Sequence, residues 1–254
     1  MGVLWICIAW LQYLSPRLIG RAEVQASGDG GLLAGSPTAA FPKQRWAGEL
    51  STALYLPAPE LGFRLAGASF SWDSLQAVNA LIQQWNFDKL SQWETGIGYG
   101  LRFLRSRVQL AVRGRLLSTN FSEYGRLHRF TSDIGALWSV SSRVWVGGYG
   151  YNLLARGWGL LPGASRFGLG VSYRPTPNAE VSTELVQEGS FPLQLRTAFQ
   201  YQPHSVLLLR GGIGLPTLLL GVGFTLRYRK VGLDFGYRYQ PSLGGWSAIG
   251  LSFP

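Results

Sequence analysis

The sequence predicts an all-β chain: a transmembrane antiparallel up-and-down β-barrel of about fourteen strands, with twelve as the alternative. Three observations predict it. Apolar and polar residues alternate with period two through most of the chain, as in "SQWETGIGYGLRF", where Trp93, Ile97, Tyr99, Leu101 and Phe103 oppose Glu94, Gly96, Gly98, Gly100 and Arg102. The chain holds 34 glycines beside 10 Trp, 11 Tyr and 13 Phe, a composition suited to tight turns and interfacial side chains. After the opening residues, no apolar run approaches the ~20 residues that a spanning helix needs.

The elements follow in order. "MGVLWICIAWLQYL" is too short to span a bilayer and reads as the core of a signal peptide over 1–26, with small-residue cleavage sites after Ala22 and after Ala26. Cys7 lies inside it, and Ile6 before it does not fit a lipobox, so the mature chain is expected to be free of cysteine. Residues 27–47 form an N-terminal segment, read as a hidden first strand within Gly31 to Phe41 or as a lumen plug. The barrel is assigned to 48–254. Thirteen strands are visible by alternation, near 48–56, 61–72, 91–103, 106–118, 128–140, 143–154, 165–175, 179–188, 193–203, 206–215, 218–228, 230–240 and 245–253. Between the second and third, "DSLQAVNALIQQW" places Leu75, Val78, Leu81, Ile82 and Trp85 at helical spacing behind Asp73 as N-cap. That spacing predicts a short helix in the longest loop, 73–90. Long connections at 73–90, 119–127 and 155–164 then interleave with short ones, the loop asymmetry of outer-membrane barrels.

The two strand faces need different surroundings. One carries arginines, carboxylates and glycines, and buried charge without a partner costs several kcal/mol. The other is aromatic and aliphatic over so many strands that in water it would exceed any patch a soluble monomer tolerates. Lipid outside and a polar lumen inside satisfy both. The lumen-lining candidates are Glu94, Arg102, Arg113, Arg115, Arg129, Asp133, Arg166, Arg196, Arg227, Asp234 and Arg238. At the C-terminus, Ile249, Leu251 and Phe253 alternate up to a near-terminal aromatic, which resembles the terminal-strand signal of bacterial outer-membrane proteins.

No chemistry of catalysis stands out. The two histidines, His128 and His204, fall at a strand start and in a turn, without a serine and acid arranged beside them. No metal-ligand spacing is present, so neither metal nor cofactor is expected. A formal charge of +10 invites nucleic acid, but the arginines are scattered singly among strands with no accompanying motif, which argues against it.

Serial hairpins with "LRTAFQYQP", "LLLRGGIGLPTLLLGVGF" and "KVGLDFGYRYQPSLGGWSAIGLSF" resemble the long-chain fatty-acid transporter superfamily and its relatives in the type IX secretion system. Asp234, Tyr239, Pro241 and Gly244 or Gly245 match a terminal hairpin pattern of uncharacterised barrels in that group, and "GDGGLLAGSPTAAF" is at most a shortened form of their glycine-rich N-terminal segment. The resemblance implies an outer-membrane channel or transporter for small or hydrophobic molecules. A non-conducting structural or secretion-accessory barrel is the alternative, and an outer-membrane enzyme a third reading. Expected partners are outer-membrane lipid, the barrel assembly machinery and, for the accessory role, secretion-system proteins.

Overall fold

The computed structural model describes residues 45–253 apart from 59, 88–89, 105, 123–124, 155 and 158–164. The signal peptide expected at 1–26 and the strand or plug expected within Gly31 to Phe41 lie outside the described residues. The strands are β1 (Trp46–Tyr55), β2 (Gly62–Ser71), β3 (Gln76–Phe87), β4 (Leu90–Phe103), β5 (Val108–Phe121), β6 (Gly125–Ser139), β7 (Val144–Tyr151), β8 (Arg156–Gly157), β9 (Arg166–Thr176), β10 (Ala179–Glu188), β11 (Gln194–His204), β12 (Leu207–Leu215), β13 (Leu219–Tyr228), β14 (Val231–Gln240) and β15 (Gly244–Phe253). Each wall strand pairs antiparallel with its sequence neighbours, and β1 pairs with β15 from Gly48↔Phe253 to Tyr55↔Trp246, which closes the ring. The two-residue β8 only lies against β6, so the closed wall has fourteen strands.

The fourteenth strand is not where the sequence suggested. It is β3, in the segment read as a helix. Along β3 Ala77, Asn79, Leu81, Gln83 and Trp85 point inward, while Val78, Ala80 and Ile82 point out. Apolar residues on both faces hide the alternation and mimic a helical stripe. Asp73 acts much as a helix N-cap would, its Oδ1 accepting from the N–H of Leu75 (2.7 Å) and Gln76 (2.6 Å), but the turn so formed opens a strand. The long loop expected at 73–90 therefore disappears, and the one at 119–127 shrinks to 122–124. A long connection remains at 152–165.

Because the strand number is even, β1 starts and β15 ends at the same rim, here called the terminal rim. Its connections, from 72–75 to 229–230, are two to four residues long, while those at the far rim reach the length of 56–61 and 152–165. The strands are unequal as well. β3 to β6 have 12 to 15 residues, and the neighbouring β7 has 8, so β6 pairs with β7 only from Ile134 to Ser139.

Outward faces are apolar through the middle of the wall, with Arg64, Arg126 and His128 standing on them only near the far rim. Ile97 is 73 % exposed while its neighbour Glu94 is 2 % exposed, which is the sidedness of a wall with hydrocarbon on its outside.

Candidate functional site: the lumen wall and its far mouth

Seen from inside, the wall has an apolar and a charged zone. At the far rim the inward side chains of β1, β2, β3, β7 and β15 gather into an aromatic cluster of Phe63, Trp85, Tyr149, Tyr151 and Trp246 with Ala53, Leu65 and Ala248, joined by Leu90 from β4. Phe63 and Trp85 face each other across β2 and β3 with ring centroids 4.3 Å apart, and Tyr149 lies 4.7 Å from Tyr151 on the same strand. Tyr55 stacks on Trp246 at 4.9 Å, across the seam that closes the ring. Gly168 makes the cluster possible on the β7 side: a Cβ there would fall 2.3 Å from the Tyr149 ring, so only glycine lets that ring lie flat against β9.

Below this mouth the inner face is polar. Arg115 sits at the centre of a buried network. It donates from Nη1 to Glu94 Oε1 and from Nη2 to Asp133 Oδ1, both at 2.7 Å, and from Nη2 to Asn152 Oδ1 at 2.8 Å. Asn152 ends β7 with a left-handed φ of 56°, which asparagine tolerates better than most residues, and its N–H returns to Asp133 Oδ1 at 3.2 Å. Each long-range attraction here is strong because the site is dry, and each lost partner would be correspondingly expensive. On the far side of the ring Arg210 donates to Thr225 Oγ1, which donates in turn to Asp234. Arg196 donates from Nε and Nη2 to Gln194, and Arg174 from Nε to Glu180 at 2.7 Å.

The sequence-named residues fall into three groups. Glu94, Arg113, Arg115, Asp133, Arg166, Arg196, Asp234 and Arg238 are buried on the inner face. Arg102 and Arg129 are half-buried, nearer the rims. Arg227, though on the inward register of β13, is exposed at the terminal rim. The structure brings Glu94, Arg115 and Asp133 into contact, and separately Arg210 and Asp234, 3.5 Å apart. Arg113, 1 % exposed, finds no hydrogen-bond acceptor for Nε, Nη1 or Nη2 among the described residues, and neither the Nδ2 donor nor the Oδ1 acceptor of its neighbour Asn79 across Gly98 finds a partner among them. Gly98 yields its space to that amide, which a Cβ would approach to 2.7 Å. Of the terminal signal, Ile249 and Leu251 face outward, and Phe253 covers Gly48 on β1. His128 and His204 are both exposed, and His204 Nδ1 accepts from the Val206 N–H within its turn.

The aromatic mouth had no place among the sequence candidates. The signal that could have found it is Phe63 standing on the same register as Ser69, and Trp85 on the same register as Asn79 and Gln83, a register the helix reading of 73–85 concealed.

No family model and no curated protein matches the chain. Solved structures do. The toluene transporter TbuX of Ralstonia pickettii superposes with a TM-score of 0.72 at 10% identity, covering 96% of this chain and 98% of that one. The CymD monoaromatic hydrocarbon channel gives 0.72 at 9% identity, over 95% and 96% of the two chains. A Pseudomonas aeruginosa FadL homologue gives 0.66 at 9% identity, over 94% and 97%. At such identities the likeness is one of fold. The fold is that of the FadL-type outer-membrane transporter barrels, as the hairpin motifs led us to expect.

Proposed function

We propose that the chain is a bacterial outer-membrane channel that admits small apolar molecules through its far mouth. The observation that carries this is the aromatic cluster facing inward. A lumen that conducted only small ions would gain nothing from Phe63, Trp85, Tyr149 and Trp246 on its inner wall, whereas an apolar solute leaving water does. The longer connections at the far rim support a reading in which that rim faces outside the cell and the terminal rim faces the periplasm. The neighbours named as carriers of toluene and monoaromatic hydrocarbons support the same class of solute. Ile249, Leu251 and Phe253 would present the last strand to the barrel assembly machinery. The non-conducting reading draws on one observation, the burial of Arg115, Arg196 and Arg238, which fills the wall with paired or packed charge.

The test uses the refolded barrel in liposomes with toluene as probe. The expected result is a shift or quench of tryptophan emission from Trp85 and Trp246 on toluene addition, faster toluene entry than into empty liposomes, and loss of both in Phe63→Arg. Entry no faster than into empty liposomes, with unchanged emission, would leave the structural role.

A further inference from the structure

The two rims differ in charge. Among the described side chains, the terminal rim exposes Arg45, Arg107, Arg143, Arg227, Arg229 and Lys230, against a single exposed acid, Asp73. Asp73 is already engaged by backbone N–H groups. The far rim exposes Arg64 and Arg126 against Glu60. None of the six terminal cations has an ion pair among the described residues. They do not form one patch. They leave the wall before β1, between β4 and β5, between β6 and β7, and around the β13–β14 turn, so they are spread along the rim from β13 through β1 to β7, with none on the β9–β12 sector.

The same rim carries an outward aromatic girdle of Trp46, Trp72, Phe103, Trp138, Tyr173 and Tyr228. Such rings sit at the level of lipid headgroups. The Arg229 guanidinium, one of these cations, lies 5.4 Å over the Tyr228 ring of the girdle. A guanidinium held at headgroup height without a carboxylate is set to bind phosphate, bidentately where geometry allows.

We infer that the terminal rim is a binding collar for anionic glycerophospholipid, the phosphates of one leaflet being gripped by Arg45, Arg107, Arg143, Arg229 and Lys230. Their dispersal over separate turns favours lipid over a protein partner, which would need a contiguous patch, because lipid meets many points of the rim at once. Assigning the collar to the periplasmic leaflet rests on the orientation given above. The headgroup preference does not depend on what the lumen carries.

The experiment compares thermal unfolding of the refolded full barrel in phosphatidylethanolamine bilayers with and without phosphatidylglycerol. The expected result is a rise in Tm on adding phosphatidylglycerol, reduced by high salt. The rise should be lost in the combined variant Arg107→Gln/Arg143→Gln/Arg229→Gln/Lys230→Gln, and kept in the far-rim control Arg64→Gln/Arg126→Gln. Toluene entry, measured in the same liposomes, reports separately on the channel reading. An equal rise in wild type and combined variant, or no rise in wild type, overturns the collar. In that second case the cations would be left for a periplasmic protein to meet.

Discussion

At the same height on the inner wall, β2 and β3 present Phe63 and Trp85, while β9 and β11 present Arg166 and Arg196. All four are buried, yet they are held by opposite means. The aromatic pair is held largely by ring contact, at 4.3 Å between centroids. The arginines stay inside only because oxygens or rings meet them: Gln194 for Arg196, the Tyr149 ring at 5.8 Å for Arg166. Parting the aromatic sector would cost packing, whereas parting the charged sector would strand charge, which makes the charged sector the rigid half of the wall.

The largest expected effect tests the rigid half. Arg115→Met removes the cation that bridges Glu94 and Asp133 and should lower stability by about 3–5 kcal/mol, read by chemical unfolding in detergent. Adding Glu94→Gln and Asp133→Asn to that variant should recover most of the loss. If it does not, the residues act through packing and not through charge. Next comes a control on the outside of the same strands. Ile97→Arg, on the outward face of β4, should cost about 2–4 kcal/mol near the bilayer midplane, because the charge there leaves water for hydrocarbon. A negligible cost would mean that this face is wet, and the inside–outside contrast would fail.

Smaller effects sharpen the contrast. A double-mutant cycle of Phe63→Leu and Trp85→Leu should return a coupling of about 0.5–1.5 kcal/mol, the usual range for an aromatic pair beyond its buried area. Coupling well above that would mark the mouth as rigid too. Smallest of all should be Arg174→Gln. Its side chain is 34% exposed beside Glu180, so the pair is screened by water and contributes about 0–1 kcal/mol. A loss as large as that of Arg115→Met would extend the rigid half down to the terminal rim.

How much of this could be read from sequence follows from what each strand has to satisfy. Where one face meets lipid and the other meets charge, as in β4 with Ile97 against Glu94, alternation exposes both the strand and its inward residues. In β3 the inward face is itself apolar at Leu81 and Trp85, because it lines the mouth, and the outward face is apolar at Val78 and Ile82 because it meets lipid. With both faces alike the period vanishes. The residues that hid the strand are also those that build the mouth, so one misreading cost both. The Arg115 network was legible as residue types but not as a unit. Glu94 and Asp133 come from two different strands and Asn152 from just beyond the end of a third, and their convergence depends on register that no single strand encodes.

Closure of the wall through β1 and β15 sets the order in which the molecule can come into being. The ladder from Gly48↔Phe253 to Tyr55↔Trp246 joins the first described strand of the wall to the last, so the ring stays open until both are present. Contacts of such long sequence separation form late and slowly, since loop entropy must be overcome before they yield any return. Until then two strand edges lie bare, each a template for a wrong neighbour. Losing β15 would therefore not remove one fourteenth of the barrel but unmake it, leaving β1 and β14 as open edges of a curled sheet.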